Sequence, residues 1–437
     1  MVTAKFGGSS LADANQFMKV RDIILSNPER RYIVPSAPGK RGAGDDKITD
    51  LLYACHDAAK AGKPFRHLME RISARYVEIA GELNVPIDLN AELGAISERI
   101  GAGASRDYAA SRGEYLNGRL LAAYLGFAFV DAADVVRFDA DGRLQEEETN
   151  RLLADRLSGV RCAVIPGFYG ADDAGAIHTF SRGGSDVSGA LVARAVNADI
   201  YENWTDVTGF RMADPHIVPD AQYIATMTYR ELRELSYMGA TVLHEDAVFP
   251  VRKAGIPTNI RNTNDPKHPG TMIRPNTGRE DYGHIITGIA GHKGFSIVSV
   301  EKDMMNAELG FGRRVLQAFE EYGVNFEHLP TGIDTLCVVV NKKELAPHRD
   351  EVIARIQALV SPDKVTVHDH LALIATVGRG MVRAFGTAAR LFTAISSQGI
   401  SIRTIDQGSS ELNIIVGVDE NDFDNAVRAI YDAFVRE

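Results

Sequence analysis

The chain opens on residues able to handle a polyanion. Lys5 and Phe6 close a short β-branched run, Gly7, Gly8, Ser9 and Ser10 follow, and an amphipathic stretch begins by Ala14. Glycines without Cβ atoms let phosphate oxygens approach backbone N–H groups, and a helix N-terminus adds partial positive charge. Ser10 with Asp13 three residues later resembles a capping box, which places the predicted helix start at Ser10. Taken alone, a plain glycine turn beside an exposed lysine is the simpler reading, and the Walker spacing is absent. A second segment of the same logic tips the balance. Thr179, Phe180, Ser181, Arg182, Gly183, Gly184, Ser185 and Asp186 open a helix that continues through Leu191. Arg182 offers a planar fork for a carboxylate, Ser185 and the amides after it can donate to an anion, and Asp186 can face a metal ion or cap the helix. Two such turns in one domain are hard to explain by structure alone.

Further polar groups lie near the second predicted strand: Ser36, Gly39, Lys40 and Arg41, then Lys47, Thr49 and Asp50. They read as a solvated loop or as a lure for an acidic substrate. Arg112 to Leu116 is expected to begin a helix, so Glu114 is either a first-turn acid favouring the helix dipole or a buried carboxylate awaiting a cation such as a substrate ammonium. His368, Asp369 and His370 lack zinc spacing and are expected in a turn before a strand, and His244, Glu245 and Asp246 are expected to pack or cap.

These residues need a scaffold, and the chain is long enough for two or three compact units at 437 residues. An apolar share of 45% with 24% charged residues marks them as globular. A net charge of -10 argues against nucleic acid or acidic lipid as general partners, and no stretch is long enough to span a membrane. Three widely separated cysteines and the lack of a signal-like start fit a cytoplasmic protein. Residues 1 to about 260 alternate strand-like runs (Val2 to Phe6, Arg31 to Val34, Cys162 to Ile165, Asp199 to Trp204) with helical ones such as Ala14 to Leu25. That alternation is the mark of a layered α/β domain. Asn262 to Gly283 reads as a turn-rich join.

Beyond the join the sequence repeats itself at an offset of 76 residues: Phe295 matches Leu371, Ala318 matches Ala394, Phe326 matches Ile402 and Gly323 matches Gly399. Each copy reads strand, helix, strand, turn, strand, and two copies suggest a pair of small βα modules rather than a solenoid. The expected division is 1–283, 284–365 and 366–437, with a strand near 285–290 that could belong to the last module.

Five segments together resemble the aspartate kinases of the amino acid kinase family: KFGGSS at 5–10, SRGEYLNG at 111–118, TFSRGGSDVSG at 179–189, NWTDVTGFRMADP at 203–215 and GATVLH at 239–244. The tail resembles the paired ACT domains of that family. The resemblance implies a three-layer α/β/α kinase domain followed by two ferredoxin-like βα modules, and transfer of the ATP γ-phosphoryl to the β-carboxylate of L-aspartate. It implies substrate contacts at Ser36, Thr49, Glu114, Arg182 and Ser185. It implies nucleotide contacts at Lys5, Gly7, Gly8, Ser9, Thr205, Asp206, Arg211, Met212, Asp214 and Thr241, with MgATP as co-substrate and no tightly bound cofactor or resident metal. Lys5, Arg182 and Asp186 would be catalytic. Thr241, His216 and Arg211 depart from common family residues, with Arg211 able to supply a missing charge. Lysine or threonine is the implied effector, beside Met305, Asn325, Glu327 and Asp334, in a homodimer or tetramer held by the ACT modules. A kinase for another acidic amino acid, or a catalytically silent amino-acid sensor, is the alternative.

Overall fold

A computed structural model describes residues 1–181, 183–240, 242–243, 245–276 and 284–436. The chain divides into two compact units. Met1–Phe210, Tyr223–Tyr229 and Val242–Gly278 form the first, and Arg211–Gln222, Arg230–Thr241 and Arg279–Glu437 the second.

The first unit is built on strands β1 (Val2–Phe6), β2 (Arg30–Pro35), β3 (Ala128–Phe129), β4 (Ala163–Val164), β7 (Ile200–Thr205), β8 (Thr226–Thr228), β9 (Thr258–Asn262) and β10 (Thr271–Arg274). β5 (Tyr169–Ala171) and β6 (Ile177–Thr179) form a separate hairpin. The eight run in the order β3-β4-β2-β1-β7-β9-β10-β8, parallel except where β10 meets β9. Side chains alternate across this sheet. Ala4, Phe6 and Ile33 enter a core with the helices Ala14–Leu25, Ile48–Lys60, Arg66–Glu82, Asn90–Gly101 and Arg106–Leu125. Tyr32 and Val34 enter the opposite core with Glu146–Leu157 and Gly184–Ala195. The result is the expected three-layer α/β/α arrangement.

Three local expectations change. The helix Ala14–Leu25 has the predicted span, but its cap is Asp13, which accepts from Gln16 N–H at 2.9 Å. Ser10 sits instead in a 3-10 turn, Gly8–Leu11, with its hydroxyl 2.7 Å from that of Thr263. The helix carrying Glu114 starts six residues before the expected Arg112, at Arg106 behind the Ser105 cap, so Glu114 lies in its interior and not in its first turn. The turn-rich join contains β10, a four-residue strand too short to show through its Pro and Gly surroundings.

The second unit centres on a six-stranded antiparallel sheet. Its strands are β11 (Gly288–Glu301), β12 (Phe326–His328), β13 (Thr335–Asn341), β14 (Lys364–Val377), β15 (Thr404–Asp406) and β16 (Asn413–Asp419), in the order β12-β13-β11-β14-β16-β15. Adding the 76-residue offset to β11 gives the bounds of β14, and adding it to the helix Phe311–Glu320 gives the helix Thr387–Ser396. The two long strands pair along their lengths through Phe295 and Leu371, the residues that the repeat itself equates. One half of β11 (Gly288–Lys293) pairs with Ala372–Val377, while the other half also pairs with β13. His368, Asp369 and His370 lie inside β14 rather than before it. Asp369 accepts from Ser296 Oγ at 2.6 Å and pairs with Arg349.

Candidate active site

Lys5 is the last residue but one of β1, and its register partner across β7 is Asn203. Because Ala4 and Phe6 point to one core, Lys5 points to the other face, where the helix Gly184–Ala195 lies. There its ammonium is 2.6 Å from Asp186 Oδ1 and 3.4 Å from Asn203 Oδ1, with only a tenth of the side chain exposed. Asn203 Nδ2 donates to the same Asp186 oxygen at 2.8 Å, and Tyr201 OH donates to the Asp186 carbonyl at 3.1 Å. A buried cation needs a partner. Here the partner is fixed from two sides.

The chain beyond Lys5 is compressed against the loop that follows β2. Gly39 N–H donates to Gly8 C=O at 2.8 Å, and a Cβ on Gly8 would lie 2.9 Å from the carbonyl of Ala37. Glycine is required here because backbone meets backbone. Ser36 N–H donates to Phe6 C=O at 3.0 Å, and its own carbonyl accepts from Asn117 Nδ2 at 2.6 Å. Thr49 follows on the first turn of Ile48–Lys60, which Ile48 N–H ties to Pro38 C=O at 3.2 Å.

Glu114 completes this wall. It is 5% exposed, and its Oε2 has no hydrogen-bond partner. Burial pushes its pKa up to about 8, against the pull of the Ala37 N–H and of the Arg112 charge. A carboxyl with one open buried oxygen is a receptor for a cation or a donor. On the second turn, Gly183 adopts φ +58° ahead of the helix at Gly184, where a side chain would strain. Ser185 packs against Gly167, leaving no room there for a Cβ, which would sit 2.7 Å from Ser185 Cβ. Arg182 and Thr241 lie outside the described residues.

Thr205 and Asp206 follow at the end of β7, with the Thr205 hydroxyl 3.2 Å from Asp206 Oδ1. Arg211, Met212 and Asp214 belong to the second unit. Arg211 Nη1 donates to the carbonyls of Pro219 and Ala221, at 3.2 and 3.1 Å. Buried Met212 accepts from Ile289 N–H at 2.7 Å, and Asp214 receives His216 N–H at 2.9 Å. Of the effector positions, Met305 lies in the core of the first repeat, and Asn325 N–H donates to Glu344 at 3.1 Å. Glu327 accepts from Tyr237 OH, and Asp334 accepts from Met304 N–H at 3.1 Å.

Sequence reasoning assigned no role to Asn203, although it stands in the NWTDVTG run two residues before Thr205. Only the strand register shows it opposite Lys5. Among the described residues no group of three or more His, Cys, Asp or Glu is placed to hold a metal, and no helix is long and apolar enough to cross a membrane.

Comparison with known proteins agrees with this geometry. Residues 1–262 match the amino acid kinase family and residues 374–434 an ACT domain. Aspartokinase 3 of Bacillus subtilis (strain 168) is 38% identical over 449 residues, covering 99% of this chain and 98% of that protein. The crystal structure of Clostridium acetobutylicum aspartate kinase superposes with a TM-score of 0.91 at 51% identity, covering 99% of both chains. E. coli aspartokinase III, 25% identical, superposes with TM-scores of 0.76 in a T-state complex with lysine and aspartate and 0.75 in an R-state complex with aspartate and ADP. The match covers all of this chain and 99% and 100% of those structures. The chain belongs to the amino acid kinase family and, within it, to the aspartokinases, ATP-dependent phosphotransferases that here carry a C-terminal ACT region.

Proposed function

We propose that this chain moves the γ-phosphoryl of MgATP onto the β-carboxylate of L-aspartate, giving 4-phospho-L-aspartate and ADP at the head of lysine, threonine and methionine synthesis. The observation that carries the assignment of roles is the buried Lys5, held by Asp186 and Asn203 at the mouth of a glycine turn. The substrate carboxylate, with a reference pKa of about 3.9, arrives ionised, so no general base is needed. One of its oxygens attacks the γ-phosphorus while the bond to the β,γ-bridging oxygen breaks, and the departing charge stays on ADP. Catalysis then consists of alignment and charge neutralisation.

Lys5 serves the transferring phosphoryl group and Gly7, Gly8 and Ser9 supply its backbone cradle. Asp186 orders Lys5. Arg182 grips the substrate α-carboxylate, Glu114 takes the ammonium, and Ser36, Thr49 and Ser185 complete the substrate side. Thr205, Asp206, Arg211, Met212, Asp214 and Thr241 serve the nucleotide, whose Mg enters with it. Aspartyl hydroxamate formation tests the scheme. Lys5→Ala should abolish turnover in a folded chain, and Arg182→Ala should raise the aspartate requirement steeply. Hydroxamate at the normal rate from Lys5→Ala sinks the role of Lys5, and equal turnover of glutamate sinks the substrate.

Lysine or threonine is the proposed effector, bound beside Met305, Asn325, Glu327 and Asp334, in a dimer or tetramer joined through the ACT modules. The lysine-bound T-state of the E. coli relative supports regulation of this kind. Calorimetry that gives no heat with lysine, threonine or methionine would remove it. The unpaired Cys55, Cys162 and Cys337 support a reducing cytoplasm as its location.

A further inference from the structure

Arg75 lies outside every motif that marks the site. It stands on the helix Arg66–Glu82 and is 5% exposed. Its Nη1 donates to the carbonyls of Ala12 and Gly39 at 3.2 and 3.1 Å, and its Nη2 reaches Asp45 Oδ2 at 2.5 Å. Ala12 closes the 3-10 turn that holds Gly8 and Ser9. Gly39 and Asp45 belong to the loop running from Ser36 to the helix at Ile48. One planar guanidinium therefore joins the glycine turn to the substrate-side loop. The joint leaves no slack, since a Cβ on Gly39 would lie 2.7 Å from the Gly8 carbonyl carbon. Arg41 Nε holds Asp45 as well, at 3.0 Å, while Arg41 Nη1 reaches Glu78 at 3.0 Å. Partial burial works against the Asp45 charge, but the two guanidiniums outweigh it and keep the carboxyl well below the usual carboxylate range.

We infer that Arg75, together with Asp45, is a positioning residue for phosphoryl transfer, setting the glycine turn and the Ser36–Lys47 loop in register with each other. The inference rests on the aspartate-and-ATP reading of the site. Neither side chain needs to touch a reacting atom. Each loop retains its own local bonds without the guanidinium, and what goes is their mutual placement. Loss should therefore fall on kcat and not on the binding of either substrate alone.

Asp45→Asn keeps the shape and removes the charge, while Arg75→Lys keeps the charge but cannot reach three separated acceptors. In the full chain, each should lower kcat for hydroxamate formation roughly 10- to 100-fold, with calorimetric Kd values for ATP and for aspartate within about threefold of normal at full stoichiometry. Unchanged kcat in a folded Asp45→Asn variant overturns the inference. So does a fall in kcat matched by an equal fall in binding stoichiometry, which is the signature of lost folded protein. If the unaltered chain makes no hydroxamate from aspartate, the reading of the site fails first and this inference with it.

Discussion

Replacing Glu114 by Gln isolates the charge that the fold holds in reserve. The buried carboxyl titrates near 8 in place of its ordinary 4.5, chiefly because burial penalises its ionised form. The folded protein therefore keeps a proton that the unfolded chain gives up above pH 4.5. Stability from this group is fully present below about pH 4.5, declines as pH rises, and levels off above about 8. At about 1.4 kcal/mol per tenfold in proton affinity, the ceiling on that loss is about 5 kcal/mol. At roughly 2–4 °C per kcal/mol for a unit of this size, Glu114→Gln should melt on the order of 10 °C above the parent at pH 8.5 and close to it at pH 5. A melting gap that does not change with pH refutes the reasoning. Aspartate supplies the second arm. Its ammonium gives Glu114 a counter-charge, so binding at pH 7 should release about one proton, read by calorimetry in buffers of different ionisation enthalpy. The Gln variant should release none and bind aspartate poorly.

Gly8→Ala pushes a methyl group to 2.9 Å from the Ala37 carbonyl, so the two loops must part. Turnover should drop sharply at a stability cost of about 1–3 kcal/mol by thermal melting, and normal kcat would show that the cradle tolerates the shift. Glu231, wholly buried on the helix Tyr229–Tyr237, accepts from Arg379 Nη1 at 2.9 Å, from Arg379 N–H at 3.1 Å and from Thr287 Oγ1 at 2.5 Å. Glu231→Ala should destabilise the second unit by about 3–5 kcal/mol, seen as an earlier calorimetric transition, and an unmoved transition would show the pair to be inert. For the Lys5–Asp186 pair, either single apolar replacement should cost roughly 2–3 kcal/mol, less than a fully buried pair because Asp186 keeps some exposure. Lys5→Met with Asp186→Leu together should be near neutral in melting and inactive, and additive single losses would contradict this.

What the sequence shows of this protein is what short stretches of chain encode. The two glycine turns were legible because backbone access to an anion demands glycine locally, and the repeat was legible because β14 reproduces β11 at a fixed offset. Asn203 was not, because it meets Lys5 across 198 positions through strand register alone. Arg75 was hidden for the same reason, standing 63 positions from Ala12 on a helix with no motif of its own. Glu114 was visible as either a first-turn acid or a buried carboxylate, and it is the second that the structure has, while the helix start was placed too late. Tyr108 to Leu116 is buried nearly all round, with no amphipathic stripe to mark where the helix begins.

The placement of charge in the first unit separates two kinds of buried ion pair by what they leave open. In β7, Glu202 points away from the face of Asn203 and is closed on itself. Arg30 holds it through Nε at 2.7 Å and Nη2 at 3.1 Å, Trp204 Nε1 donates at 2.8 Å, and Arg261 stands 3.6 Å away. Both Glu202 oxygens are met, so that cluster fixes the register of three strands and leaves no carboxylate oxygen open, though the buried Arg261 Nε keeps a donor without a partner. One residue on, the Asn203 face is incomplete. Lys5 has three N–H donors and makes one short contact, at a turn where glycines expose the backbone. Glu114 has an oxygen without a donor. A lysine with donor capacity to spare near the end of a parallel strand, and a buried carboxyl oxygen without a donor on the helix Arg106–Leu125, cost stability until a ligand meets them. A ligand that carries phosphate at one end and an ammonium at the other removes both deficits together. ATP and aspartate, bound side by side, present that pair of charges.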